Sequence, residues 1–386
     1  MIKQDIPKIR FYSYQGAWTE DRIADIVKIS AGGDVDKVKL KESGKYPVIA
    51  NALTNKGIVG FYEDYKVKAP AVTVTGRGDV GYAVARHENF TPIVRLLTLQ
   101  SEKIDVDYLE NQINSMRILN ESTGVPQLTA PQLGNYKVYH PKIEEQSAIG
   151  TLFRTLDDLL SSYKDNLANY QSLKATMLSK MFPKAGQTVP EIRLDGFEGE
   201  WELIKLGEVC DLITKGTTAK SQSEQGKVNF VKVENLKDNE IYSVVKISEE
   251  EHLGSLKRSI LFEGDILFSI AGTLGRTAIV RNNVLPANTN QALAIIRGYK
   301  LDAYFLLVVL SGEVVKDYIR KNPTVGAQPN LSLEQVSSLK IQAPSIEEQQ
   351  AIGAYFSNLD NLINSYQEKI SQLEDLKKKL LQDMFI

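Results

Sequence analysis

From Phe153 onward the apolar positions step by three and four: Phe153, Leu156, Leu160, Tyr163, Leu167, Tyr170, then Lys174, Met177 and Met181. The same stepping returns at Phe356, Leu359, Ile363, Tyr366, Ile370, Leu373, Lys377, Leu380 and Met384. A 3.5-residue period held over about four heptads predicts a coiled-coil seam, with lysine at the same seam position in both copies as a register-fixing residue. Glu144-Glu145 and Glu347-Glu348 fall in the first turn of each expected helix, where acidic side chains favour the helix dipole. Ser345 and Glu348 have capping-box spacing. Pro141 and Pro344 precede the helices, and Pro183 stops the first.

The two helices are copies. Ile143 to Pro183 and Ile346 to Ile386 align without a gap at an offset of 203, with 18 identities in 41 positions, well beyond chance. Upstream, Pro7-Lys-Ile-Arg10, Gly16 and Trp18 match Pro190-Glu-Ile-Arg193, Gly199 and Trp201. Between them, Thr75-Gly-Arg-Gly78-Asp-Val-Gly81 corresponds to Ser269-Ile-Ala-Gly272-Thr-Leu-Gly275. A duplication of this kind decides the fold before any local reading does. The helices kept their length while the segments between them diverged.

The fold expected is therefore α+β. Two globular domains are separated by two long helices that pair as an antiparallel coiled coil, with pseudo-two-fold symmetry. The divisions expected are 1–141, a spacer helix 142–183, a linker and second domain 184–344, and a final helix 345–386. Beside the seam lie Leu152, Leu159, Leu173, Leu178, Leu362, Leu376 and Leu381. A two-helix ribbon cannot cover them all, which leaves an apolar face for the globular segments or for a partner's helices. Within the domains, Ala71–Thr75 and Asp265–Ser269 alternate as strands, and Asp105 to Met116 and Ala303 to Ile319 read as helices.

Composition changes little. Apolar residues are 42% and charged residues 24%, ordinary for a globular chain, and the formal charge is −2. A single cysteine, Cys210, excludes a disulfide framework or a cysteine-zinc cluster and suits the cytoplasm. The first residues have no apolar core typical of a signal peptide, and no apolar run is long enough for a membrane span. Charge is uneven, however. Lys37, Lys39, Lys41, Lys45, Lys56, Lys66 and Lys68 face only Glu42, Glu63 and Asp64, interleaved with Tyr46, Phe61, Tyr62 and Tyr65. That stretch is either a phosphate-tracking surface or a solvated lysine-rich face.

Candidate chemistry is sparse. Gly76-Arg-Gly78-Asp-Val-Gly81 spells G-x-G-x-x-G, but Tyr82-Ala-Val-Ala85 reads on as strand where a dinucleotide site needs a helix. A tight turn is the simpler reading, with glycines at Gly78/Gly272 and Gly81/Gly275 for backbone conformation. Such a turn could present Thr75 and Arg77 in one copy, and Ser269, Thr273 and Arg276 in the other, to bases or phosphates. Lys56 and Arg86, with Lys220 and Lys232, complete the candidate DNA-contact set. The histidines 87, 140 and 252 lack metal spacing, there is no P-loop, and Asn322-Pro323-Thr-Val is not a methyltransferase tetrapeptide. No catalytic residue, metal or cofactor is expected.

Pro141-Lys-Ile-Glu-Glu-Gln146 and Pro344-Ser-Ile-Glu-Glu-Gln349, each opening a long helix that ends Met-Phe, resemble the specificity subunits of type I restriction-modification systems. Val189 to Trp201 and Gly264-Asp-Ile-Leu-Phe-Ser269 add to that resemblance, which covers the whole chain. It implies two target-recognition domains, each reading half of a split, asymmetric site in double-stranded DNA. It implies helices that set the spacing and dock modification (methyltransferase) subunits, two of them, with restriction subunits joining that core. The adenine methylation would belong to those partners, and the base must leave the duplex stack for it. A nucleotide-dependent enzyme using the Gly76–Gly81 turn, and a coiled-coil scaffold without DNA, stand as alternatives at this stage.

Overall fold

The structure is a computed structural model that describes residues 6–116, 118, 125–184, 186–220, 226–242, 244–321 and 330–385. Residues 1–5 and the Asn322-Pro323 stretch lie outside the described residues. The chain divides into two compact units, Met1–Asp165 with Glu368–Ile386, and Asn166–Gln367.

The two units share a set of sheets, to which the second adds a short ribbon of Leu236–Lys237 with Glu240–Ile241. In the first, strands β1 (Lys28–Ala31), β2 (Ala71–Thr75), β3 (Ala83–Arg86) and β4 (Leu96–Gln100) form an antiparallel sheet of order β1-β4-β2-β3. In the second, β5 (Cys210–Lys215), β6 (Ile266–Ser269), β7 (Thr277–Ile279) and β8 (Leu293–Tyr299) repeat it as β5-β8-β6-β7. A three-stranded sheet with one parallel pair accompanies each: 46–49 between 58–62 and 91–92, and 228–231 between 245–247 and 287–289. A two-stranded ribbon joins the start and end of each domain, Thr19–Arg22 with Lys137–His140 and Glu202–Lys205 with Lys340–Ala343. Asp265, expected in a strand, lies just ahead of β6, where its carboxylate receives the Phe262 N–H and the Arg297 guanidinium.

Four helices matter for function: α1 (Val106–Ser115), α2 (Ile143–Lys180), α3 (Ala303–Ser311) and α4 (Ile346–Asp383). The helix expected over Ala303–Ile319 is broken after Ser311, because Gly312 is extended (ψ 177°) and a second helix starts at Glu313. α2 and α4 each have 38 residues, about 57 Å at 1.5 Å per residue.

The long helices run antiparallel in both units. In the first, Asp157 meets Lys377, while Lys164, farther along α2, meets Glu374 at 2.6 Å, earlier on α4. In the second, Tyr170 stacks on Tyr366 and Lys174 pairs with Asp360. The seam lysines are thus held by aspartates at equivalent positions on the facing helix. Phe153 and Leu156 of α2 enter the first core together with Met384 and Phe385, which follow α4. Phe356 and Leu359 of α4 enter the second with Met181. Each unit therefore takes the first half of one long helix and the last half of the other. Burying one such phenylalanine contributes about 1.5–3 kcal/mol.

The Glu-Glu-Gln motif explains how a head is fixed to its helix. The Glu145 carboxylate, 2% exposed as a side chain, takes two hydrogen bonds of 2.7 Å from the Arg10 guanidinium, and Arg10 also donates to the Gly16 carbonyl. Glu348 takes the same fork from Arg193 at 2.7 and 2.8 Å, and Arg193 donates to Gly199. These carboxylates are ion-pair partners, so only half of the expected capping box forms: the Glu348 N–H donates to Ser345 Oγ at 3.4 Å. The glutamines act alike. Gln146 accepts from the Asp105 N–H and donates to the Pro141 carbonyl, and Gln349 accepts from Asp302 and donates to Pro344. At Gly353 a Cβ would lie 2.4 Å from Asp302 Oδ1, and at Gly150 one would lie 2.6 Å from Asp105 Oδ1. Glycine at these positions lets the helix N-cap of α1 or α3 touch the long helix.

Candidate nucleic-acid interface

The glycine turn follows the second strand of each four-stranded sheet. Gly78 and Gly272 both have φ +75°, and Gly81 and Gly275 have φ +87° and +80°, a left-handed conformation that glycine adopts at little cost. The turn then enters β3 or β7 directly. A strand therefore stands where the dinucleotide pattern requires a helix N-terminus to bind the anion.

Two predicted contact residues serve the turn itself. Thr75 is 3% exposed; its Oγ1 donates to the Asp79 carbonyl and accepts from the Tyr82 N–H at 2.9 Å. Ser269 is fully buried; its Oγ donates to the Thr273 carbonyl at 2.6 Å and accepts from the Arg276 N–H at 2.7 Å. Both hydroxyls close the loop from inside and are unavailable to DNA. Arg86 is likewise structural: its Nε donates to Thr73 Oγ1 at 2.9 Å and its Nη2 to the Lys56 carbonyl at 2.7 Å. Burial lowers its pKa to about 10, against the raising effect of Glu110.

The remaining candidates are presented outward. Arg77 is half-buried, and its backbone is clamped by Asn51, whose Nδ2 donates to the Arg77 carbonyl at 2.7 Å and whose Oδ1 accepts from Gly76 and Arg77. The Arg77 guanidinium has no hydrogen-bond or ion-pair partner among the described residues. Lys56 is exposed on a turn with φ +48°. In the second unit Thr273 and Arg276 are exposed, the latter reaching the Val233 and Leu236 carbonyls at 3.3 and 3.4 Å. Lys220 is exposed and its N–H donates to Glu251, while Lys232 is half-buried, 3.9 Å from Glu234.

All seven lysines from Lys37 to Lys68 are exposed, and ion pairs are seen at Lys39 and Lys41. Tyr62, in contrast, is a core residue whose hydroxyl is bonded to both the N–H and carbonyl of Asp36. Sequence reasoning missed Arg95. It is exposed, has φ +74°, and its carbonyl accepts the Gly76 N–H at 3.0 Å. It also missed Gln291, beside the equivalent turn, and Thr218, whose Oγ1 donates to Gln291 Oε1 at 2.6 Å. Neither the left-handed backbone nor the pairing leaves a sequence signal.

On the helices, Leu159, Leu173 and Leu376 are 40%, 36% and 44% exposed. Leu362 is half-buried. Leu152, Leu178 and Leu381 instead pack against the domain cores, so part of the surplus apolar face is covered within the chain. Among the described residues there is no cluster of His, Cys, Asp or Glu suited to a metal ion. The histidines lie in local contacts: His87 and His140 lie 2.8 and 2.9 Å from Asp107 and Asp21, and His252 bonds Asn288. Among the described residues no helix is long and apolar enough to cross a membrane.

The family model for the type I restriction modification DNA specificity domain matches residues 16–169 and 198–375. The chain belongs to this family. It is 24% identical to the MjaVIII type I restriction enzyme specificity subunit of Methanocaldococcus jannaschii, over 94% of this chain and 91% of that one. A putative type I specificity subunit of Mycoplasma pneumoniae is also 24% identical, covering 94% of each. Among solved structures, the S subunit of a type I restriction-modification system from M. genitalium matches with a TM-score of 0.70 at 17% identity, over 99% of both chains. The family's two matched regions coincide with the two copies of the sheet set, and each runs into a long helix.

Proposed function

We propose that this chain is the non-catalytic DNA-recognition subunit of a type I restriction-modification complex. Each globular domain reads one half of a bipartite, asymmetric site in double-stranded DNA, and the long helices set the spacing and dock modification subunits. The observation that carries this reading is the twice-built glycine turn. The same internal hydroxyl lock and the same sheet support it in both domains, while the outward side chains differ. A shared scaffold with different tips suits two readers of two different half-sites. Phosphate contacts from Lys56 and the neighbouring lysines, and from Lys220, Lys232 and Arg276, position the heads, while a few side chains read bases.

The exposed leucines support the docking role. Leu159 and Leu376 lie on the helix pair of the first unit, and Leu173 and Leu362 hold the equivalent positions in the second. One apolar patch in each unit fits two modification subunits, which bring the S-adenosylmethionine and methylate adenine. Restriction subunits then act on the assembled complex. Footprinting with the modification subunit tests the reading: two protected patches with a fixed gap are expected. A continuous footprint without sequence preference would overturn it.

A further inference from the structure

The two reading turns are equivalent in backbone and opposite in chemistry. Beside the glycine turn of the first unit, Gly76 donates to the Arg95 carbonyl and Gly32 to the Leu96 carbonyl. In the second, Ile270 donates to the Ala292 carbonyl and Gly216 to the Leu293 carbonyl. These bonds align Val94-Arg95 with Gln291-Ala292. The bridges Arg77–Gln127 and Ala271–Asn330 likewise align Arg77 with Ala271. Both outward arginines of the first reader are therefore alanines in the second, and the second has a glutamine where the first has Val94.

We propose that the first domain reads guanine through Arg77 and Arg95, and the second reads adenine through Gln291 held by Thr218. This rests on the DNA-recognition reading above. The arginine fork matches the O6 and N7 acceptors of guanine, while a carboxamide matches the N6 donor and N7 acceptor of adenine. Arg95 holds a left-handed backbone, φ +74°, that a non-glycine residue adopts at a cost. A turn there would be easier with glycine, so the side chain is the reason for the residue. Its guanidinium has no partner among the described residues. Arg77 has its backbone locked by Asn51 on both its N–H and its carbonyl, which fixes where the side chain starts.

On the other side, Thr218 uses one lone pair of Gln291 Oε1 and so sets which way the amide faces. The second lone pair and both amide hydrogens stay available for a base edge. Gln291 lines a cleft of about 720 Å³ together with Lys215, Ala271, Asn330 and Ser332, a concavity with one cation, two carboxamides and one hydroxyl.

The test is methylation mapping of genomic DNA in cells carrying the full chain with its modification subunit. The wild-type map should show guanine in one half-site and a non-methylated adenine in the other. Arg77→Ala with Arg95→Ala should relax that guanine by roughly tenfold to a hundredfold and leave the other half-site intact. Gln291→Ala should relax the adenine alone, and Thr218→Val should do so more weakly. Gln291→Glu, which keeps size and folding, should move preference at that position toward cytosine, whose N4 amine donates to a carboxylate. A split site left unchanged by all these variants, or relaxed at other bases, overturns the base assignment alone. A wild-type map with no split site overturns the DNA-recognition reading itself.

Discussion

The first and second units share their supports and differ at their tips. The arginine–glutamate fork, the glutamine clamp, the buried tryptophan and the hydroxyl-locked turn occur in both with matching geometry. The differences lie in charge. The second unit secures β6 to β8 with an ion pair of the buried Asp265 and the half-buried Arg297 at 2.6 Å, where the first has the apolar run Ala69-Pro70-Ala71. The first unit instead keeps Glu110 on α1, where the second has the fully buried Leu307 on α3. The parts that fix a domain to its helix are shared, while divergence falls both on the outward side chains of the turns and on interior positions such as Asp265 and Leu307. Comparing the units therefore separates the attachment of each domain from what each domain has changed, without any other sequence.

The largest expected effect tests the shared fork. Glu145→Ala or Glu348→Ala leaves a half-buried guanidinium without its carboxylate and should cost about 3 kcal/mol in guanidinium-denaturation experiments. If one of the two is neutral, the forks are not equivalent.

Next is Glu110. Burial, the first cause, lifts its pKa from 4.5 to about 7, and Asp157 adds to the rise. The folded state thus favours the protonated acid. Its contribution is full below pH 4.5 and is lost as pH rises to about 7. Glu110→Gln should remove this dependence and stabilise the first unit above pH 7 by on the order of 2–3 kcal/mol. A pH-stability profile identical to wild type would contradict the assignment. Leu307→Gln in the second unit should do the reverse and destabilise at every pH, by cavity and polar burial.

Docking comes third. Leu159→Asp with Leu376→Asp should weaken binding of the modification subunit roughly tenfold, read by titration calorimetry. An unchanged affinity, with Leu173→Asp also silent, would place the dock elsewhere. The smallest effect is at the seam. Lys377→Met with Asp157→Leu should alter stability by about 1 kcal/mol or less, because desolvation offsets the attraction of a partly buried pair. A loss of several kcal/mol would show that the lysine does more than hold register.

Much of this was legible in the residues. The heptad stepping and the 203-residue offset placed both long helices to within a few residues, because a 3.5-residue period is a local property of the chain. The glycine turn was legible for the same reason, since positive φ selects glycine. The helix break at Gly312 also has a mark in the residues, because Ser311-Gly312-Glu313 interrupts the apolar run and glycine commonly ends a helix. The direction of Thr75 and Ser269 was not legible, because a hydroxyl in a loop has no sequence mark of direction. The fold turned both inward, and it turned Arg86 onto the Lys56 carbonyl.

The sequence by itself determined the duplication, the helices, the family resemblance and the absence of a complete catalytic motif, since each is carried by spacing along the chain. Tertiary structure alone decided which half of each helix joins which unit, and which carboxylate meets which arginine. It also decided which polar side chains are left to face a ligand. The first two rest on contacts between residues more than a hundred positions apart, such as Arg10 with Glu145 and Asp157 with Lys377. Their partners are chosen by the burial of a whole domain, and no local pattern records that choice.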